Sequence, residues 1–371
     1  MKYYLLYIWY KYIGAIFRIM PIKNNRVLLV NFFGKGYGDN PKYIAEELLS
    51  RNDINLELIW LVKGKYYDDI PKEIKQVKRG TLKELYYLST AKVWVDNSRK
   101  HAGIVKRKKQ YYIQTWHGDL GLKMIEKDVE NAHKKSYIKS AKADSKMIDL
   151  ITSGSEMFSN TVKRAFWYNG RILECGSPKT DAYFNINAES KNSYRTVIYA
   201  PTFRDSGDNS CCNIDYNKLI DTLNEKYNCD WKVIVRFHPN VSYLQENITY
   251  TDRIINGSKY SDINEMIRDC DMLITDYSST AFDAMYANKK VLLFIPDAEE
   301  YFKIRKSYFT MDELPFPKAK SNEELFKNIK ELNEVEYFKR INQFLRKINS
   351  FERGTASKAV ADEIIRVINL K

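Results

Sequence analysis

From Arg26 onward, short apolar runs alternate with segments whose apolar residues recur at helical spacing. A strand that is apolar along its whole length needs cover on both faces, and helices between successive strands supply it. The alternation therefore calls for parallel α/β sheets. The runs fall into two series. The first is Arg26 to Phe32, Leu56 to Val62, Lys92 to Asp96, Tyr111 to Thr115, Leu150 to Ser153 and Arg171 to Glu174. The second is Thr196 to Ala200, Lys232 to Phe237, Ile254 to Ile255, Asp271 to Thr275 and Lys290 to Ile295. Helical segments lie between them, such as Pro41 to Ser50, where Pro41 suits a first turn. Near Asp181 to Arg195 the pattern lapses into Asn, Ser and Lys, the composition of a linker. The expected architecture is two doubly wound α/β domains, at residues 21–185 and 190–371, facing each other over a cleft. The helix-rich stretch after Asn322 is assigned to the second. A chain of 371 residues agrees, because it exceeds what one core comfortably holds.

Residues 1–20 are apolar and aromatic apart from Lys2, Lys11 and Arg18. Lys11, Gly14 and Arg18 share one narrow stripe of a helix. The uncharged stretches fall short of the roughly 20 residues needed to span a bilayer, and no small-residue cleavage site follows. An amphipathic helix on the inner face of the cell membrane is the first expectation; a helix packed on the first domain is the second. The net charge of +13, from 60 Lys and Arg against 47 Asp and Glu, favours a polyanionic partner or an anionic membrane surface. Nucleic acid is set aside, since zinc-finger spacing, aromatic RNA-binding motifs and sustained basic helices are all missing. The basic stretch Arg99 to Lys109 reads as a solvated face that could also hold an acidic acceptor. His101 and His133 read as surface residues. The five cysteines are odd in number and lack CxxC spacing, which points to a reduced, cytoplasmic compartment with neither a disulfide framework nor a zinc site.

The chemistry gathers where strands end. His117 closes Tyr111-Tyr-Ile-Gln-Thr-Trp-His-Gly118, and His238 closes Val233-Ile-Val-Arg-Phe-His-Pro239. In open parallel sheets, ligands bind outside the carboxyl ends of the strands. Thr202 and Arg204 follow the Thr196 strand, Arg236 ends the His238 strand, and Asp276 follows the Asp271 strand. Ser278, Ser279 and Thr280 then open a helix, where hydroxyls and free N–H groups favour a phosphate. Three glycines, Gly34, Gly36 and Gly38, follow the first strand with neither dinucleotide-binding nor Walker spacing. No carboxylate cluster has metal-ligand spacing, so no cofactor is required; a divalent cation is admissible, with Asp276 to hold it.

These motifs as a set resemble the CDP-glycerol glycerophosphotransferase family of teichoic acid and capsule synthesis. The resemblance is carried by Gln114-Thr-Trp-His-Gly118 with Lys123, Gly176-Ser-Pro-Lys-Thr-Asp181, Tyr199-Ala-Pro-Thr-Phe-Arg-Asp205, Arg236-Phe-His-Pro239 and Thr275-Asp-Tyr-Ser-Ser279 with Phe282-Asp283. Gly34 to Lys42 and Gly354 to Lys358 add an early and a final loop. The family pattern follows Trp-His-Gly with Thr-Pro-Leu-Lys, whereas here Asp119-Leu-Gly-Leu-Lys123 carries one residue more. The resemblance implies a GT-B-like pair of Rossmann domains, peripheral attachment to the membrane, and transfer of a polyol phosphate from a CDP-activated donor. His117 would act as base and His238 as ligand of the donor diphosphate, with Arg204, Arg236, Thr202, Asp276, Ser278, Ser279 and Thr280 around the phosphates. Gly118, Asp119, Lys123 and Gly36 would lie on the acceptor side. The expected donor is CDP-glycerol or a related CDP-polyol, and the acceptor a glycan or lipid-linked hydroxyl. A GT-B glycosyltransferase using a nucleotide sugar, and a glycan- or lipid-binding protein without activity, are the other readings. UDP release from a UDP-sugar would mark the former, and indifference to loss of His117 the latter.

Overall fold

The computed structural model describes residues 2–51, 55–184, 193–202, 213–237, 246, 248–260 and 262–370. These fold into two compact units. One comprises residues 1–119, 125–181 and 349–371, the other 120–124 and 182–348.

The first unit holds seven parallel strands: β1 (Lys23–Val30), β2 (Glu57–Val62), β3 (Lys75–Lys78), β4 (Ala91–Asp96), β5 (Tyr111–Gln114), β6 (Leu150–Ser153) and β7 (Arg171–Glu174). Their order is β3-β2-β1-β4-β5-β6-β7. Successive side chains feed opposite faces, as strand geometry requires. Leu28, Val30, Ile59 and Leu61 enter one cluster, and Val27, Leu29, Leu58, Trp60 and Val62 enter the other. Edge strand β3 has no place in the sequence reading, because Lys75-Gln-Val-Lys78 buries only Val77 and so carries no apolar run.

The second unit holds β8 (Arg195–Ala200), β9 (Trp231–Val235), β10 (Ile254–Asn256), β11 (Met272–Thr275), β12 (Lys290–Phe294) and β13 (Lys318–Ala319), again all parallel. Their order is β10-β9-β8-β11-β12-β13. In both sheets the first strand of the unit lies inside, and the chain winds outward from it in both directions. The reversal of winding opens a crevice between β1 and β4 and another between β8 and β11.

Two assignments from sequence change. The last helix, Ala356–Asn369, does not belong with the second domain: Val360, Ala361, Ile364 and Val367 pack with Val27, Leu29 and Ile44 of the first. That face of the sheet is otherwise covered by the helix Asp39–Ser50, and a second amphipathic helix completes the cover. Glu363 at its centre accepts from the Tyr111 hydroxyl at 2.7 Å and from Arg171 at 2.6 Å. The basic stretch is a solvated face only in part, at Lys108 and Lys109. Arg99 and Lys100 are buried, and Arg107 donates to the carbonyls of Met20 and Ser89.

The N-terminal helix runs through Lys2–Ile8, a wider π turn at Trp9–Ile13, and Gly14–Phe17. One side, with Leu6, Trp9, Tyr10, Ile13 and Phe17, packs on the first unit, and the Tyr10 hydroxyl donates to buried Glu84 at 3.1 Å. The narrow polar stripe is not solvated throughout, since Gly14 is buried and Arg18 donates to the carbonyls of Tyr10 and Lys11. The opposite side is apolar and open, from Tyr4 at 71% exposed through Leu5, Ile8, Tyr12 and Ile16 to Ile19 at 84%. Among the described residues no helix is long and apolar enough to cross a membrane.

Candidate functional site

In the first unit the site is built around Asn97, one residue past β4. Its side-chain oxygen accepts from the backbone N–H of Phe32 at 2.8 Å, just past β1. Its amide group donates to Asn31 at 2.8 Å and Asp39 at 3.0 Å. One asparagine therefore ties the β4 end to the β1 end and to the start of the following helix, at the point where the winding reverses. Its own carbonyl accepts from His117 Nδ1 at 2.7 Å. A carbonyl can only accept, so Nδ1 carries the proton and Nε2 keeps its lone pair. Burial lowers the imidazole's pKa, partly opposed by the Asn97 carbonyl and by Asp39, and the ring is neutral near pH 7.

The ring of His117 stacks on Trp116, with centroids 4.4 Å apart, and Phe32 lies 5.2 Å away. Beneath Trp116 runs a buried ionic cluster. Arg99 donates to Glu126 at 2.7 Å, to Asp144 at 3.2 Å and to Ser145 at 3.0 Å, while its guanidinium lies over Trp116 and Phe166. Burial raises the Asp144 carboxyl to about 6 despite Arg99. Phe32, Phe33, Asp39, Trp116 and Glu126 all adopt left-handed backbone conformations, with φ of 37°, 61°, 55°, 52° and 55°. Each costs on the order of 1–3 kcal/mol and persists only where neighbours enforce it, a pattern that concentrates at functional sites. Asn97, Asn40 and Arg99 are the enforcing groups here. Asn40 donates to the carbonyls of Thr115 and Trp116 and accepts from the Lys179 N–H at 3.0 Å. Buried Lys179 reaches the carbonyl of His117 at 3.4 Å and lies 3.8 Å from Asp39.

Glycine is obligatory at Gly34, where φ is +91° and an added Cβ would stand 2.9 Å from Arg79 and 3.0 Å from the N–H of Lys63. Gly36, expected on the acceptor side, is left-handed at +72° with open space around it, and its carbonyl accepts from Trp60. Asp119 accepts from the Gly154 N–H at 2.7 Å. Its neighbour across Gly154 is Glu352, whose carboxyl is buried and accepts from the N–H of Ser177 and the hydroxyl of Thr180. Burial, with Asp119 adding repulsion, pushes Glu352 up to about 8. Lys123, expected on the acceptor side, belongs to the second unit, where it forms an isolated β-bridge with Ser307 and lies over the Tyr301 ring. The longer stretch Asp119 to Lys123 passes from the first unit to the second after Asp119.

In the second unit Asp276 closes the reversal of winding. It is fully buried and accepts from Thr202 through both the N–H, at 2.9 Å, and the hydroxyl, at 3.0 Å, tying the β11 end to the β8 end. Ser278 accepts from the Thr280 N–H at 3.3 Å and hydroxyl at 2.8 Å, and Ser279 stands at the start of the helix Thr280–Tyr286. Arg236 is turned inward: one nitrogen donates to the carbonyls of Tyr260 at 2.7 Å and Gly257 at 3.3 Å, and burial lowers its pKa. His238 and Arg204 lie outside the described residues. Among the described residues no three His, Cys, Asp or Glu side chains converge as metal ligands.

His117, Asp276, Thr202 and the serines stand at strand ends, where the sequence places them, whereas Asn97, Asn40, Arg99 and Glu352 are not among the residues it singles out. Asn97 had a signal in hindsight, since it follows a strand end just as His117 does. Glu352 had none, because its partners Ser177 and Thr180 are 175 and 172 positions away in the chain.

Two doubly wound, parallel-stranded units, each with a side-chain clasp where its winding reverses and one offering a neutral imidazole there, place the chain in the GT-B-like class of folds. The pattern of CDP-glycerol:poly(glycerophosphate) glycerophosphotransferases matches residues 13–366, and the chain belongs to that family of enzymes. It is 30% identical over 96% of its length to the teichoic acid poly(glycerol phosphate) polymerase of Bacillus subtilis (strain 168), but spans only about half of that protein, 51%. It is 28% identical to the teichoic acid glycerol-phosphate transferase of Staphylococcus aureus (strain NCTC 8325 / PS 47), covering 94% of each chain. The solved wall teichoic acid polymerase TagF superposes with a TM-score of 0.83 at 27% identity, over 96% of this chain and 93% of that one. A histidine-to-asparagine variant of it has been solved after soaking with CDPG. Family membership leaves the nucleotide-sugar reading unsupported.

Proposed function

We propose that this chain transfers glycerol phosphate from CDP-glycerol to a hydroxyl of a glycan or lipid-linked acceptor and releases CMP. The observation that carries the reading is the bond between His117 Nδ1 and the Asn97 carbonyl, which leaves Nε2 unprotonated at the carboxyl end of the sheet. Nε2 takes the proton of the acceptor hydroxyl as its oxygen attacks the glycerol-bearing phosphorus. The bond from that phosphorus to the bridging oxygen breaks, and CMP leaves with the electron pair. A neutral imidazole near pH 7 suits such a transfer. The second unit would hold the donor phosphates near Ser278, Ser279 and Thr280, where hydroxyls and N–H groups favour an anion, with His238 and Arg204 as further expected ligands.

The open apolar stripe from Tyr4 to Ile19 supports docking on the inner face of the membrane, where a lipid-linked acceptor would be met. Purified chain incubated with CDP-glycerol and acceptor should release CMP. Replacing His117 by Ala should lower turnover about 10²- to 10⁴-fold while donor affinity changes less than about threefold. Normal turnover with lost affinity would overturn the base assignment.

A further inference from the structure

Phe32 and Phe33 are large apolar side chains at the end of β1, 36% and 47% exposed. Both carry backbone conformations that phenylalanine rarely adopts. A set of hydrogen bonds surrounds this dipeptide. The Phe32 N–H donates to the Asn97 side chain, the Phe33 N–H donates to Ser98 Oγ at 3.3 Å, and the Phe33 carbonyl accepts from Arg79 at 2.7 Å. The N–H groups of Gly34 and Lys35 then close back on the Asn31 carbonyl at 2.6 and 3.0 Å. Burial does not explain such support, because the rings it places are half in solvent. What the support does achieve is to hold the Phe32 ring at a tilt of 58° and 5.2 Å from the ring of His117.

We infer that Phe32 is a stacking platform for a sugar ring of the acceptor, and that it sets acceptor preference. The inference rests on His117 as the base proposed above. The hydroxyl that His117 deprotonates belongs to the acceptor, so the group lying against Phe32 is the acceptor unit that carries or adjoins that hydroxyl. A pyranose offers a face of C–H bonds that packs flat on an aromatic ring. A glycerol phosphate unit is flexible, has no such face, and brings an anion towards the negative face of the ring.

The test compares two acceptors with the full chain and CDP-glycerol: a short alkyl-linked disaccharide and an oligo(glycerol phosphate) of similar size. Phe32→Ala should raise KM for the disaccharide about tenfold, with kcat within about twofold, and so move the ratio of kcat/KM between the acceptors about tenfold towards the oligo(glycerol phosphate). Phe32→Tyr should restore the wild-type ratio, and Phe32→Leu should not, although it fills similar space. Thermal unfolding of each variant separates loss of the platform from loss of the fold. An unchanged ratio, a rescue by Leu, or a wild-type chain that turns over only the oligo(glycerol phosphate) would overturn the platform while leaving the glycerophosphotransferase reading intact. If His117→Ala turns over both acceptors normally, it is the underlying reading that fails.

Discussion

Replacing Glu352 by Gln should remove one pH dependence of stability and leave the rest in place. The carboxyl is buried, meets Asp119 across Gly154, and is pushed from 4.5 up to about 8. An acid with a raised value holds its proton more tightly when folded than when unfolded. Below about pH 4.5 both states are protonated and the group adds no slope. Between 4.5 and about 8 the folded chain binds one proton more, so stability falls as pH rises, by about 1.4 kcal/mol per pH unit. Across the whole window that is about 5 kcal/mol, levelling off above pH 8. The amide cannot ionise, so the difference in unfolding free energy, variant minus wild type, should rise by about 4 kcal/mol from pH 5 to pH 8. The slope is the quantity to compare. A constant offset is expected, because the N–H of Ser177 contacts both carboxyl oxygens, at 3.0 and 3.1 Å, and an amide keeps only one acceptor. Asp144, raised to about 6 with the same sign, contributes equally to both proteins and cancels. Urea unfolding followed by tryptophan fluorescence at intervals from pH 5 to 8.5 gives the two curves. Curves that stay parallel within about 0.5 kcal/mol would refute the argument that Glu352 is held protonated against Asp119.

Arg99→Met should cost about 3–5 kcal/mol, because it strands Glu126 and Asp144 as buried carboxylates without their cation. Arg99→Lys should recover little of it, since an ammonium cannot span both partners and stack on Trp116 and Phe166; chemical denaturation reads both. On the N-terminal helix, replacing Leu5 and Ile16 together by Glu should abolish sedimentation with anionic vesicles while the melting temperature shifts by no more than a degree or two, since both side chains are exposed. Vesicle binding that survives the pair of substitutions would place the membrane contact elsewhere.

Most strands were legible because their signal is local. A run such as Val27 to Val30 or Val291 to Phe294 is apolar at every position, and that alone marks a strand covered on both faces. The edge strands β3 and β13 were not legible, since a strand that is short or buries few residues leaves no run to read. His117 was legible because it sits just past the run Tyr111 to Thr115. The residues that orient its ring were not: Asn97 holds it through a backbone carbonyl, a group every residue carries. For the same reason Arg99 read as part of a solvated basic stretch. Nothing in the spacing of Arg99 to Lys109 reveals that two carboxylates and two aromatic rings wait for its first member.

By itself the order of amino acids determined the α/β class, the two-domain division and the strand ends where reactive side chains cluster, because apolar periodicity and turn chemistry act between near neighbours in the chain. Tertiary structure alone decided the strand order, hence the two points where winding reverses, and the use of Asn97 and Asp276 to clasp them. It also sent the final helix to the first sheet and brought Glu352 against Ser177 and Asp119. Those outcomes depend on which surfaces remain uncovered, and which polar groups remain unpaired, once everything else has packed.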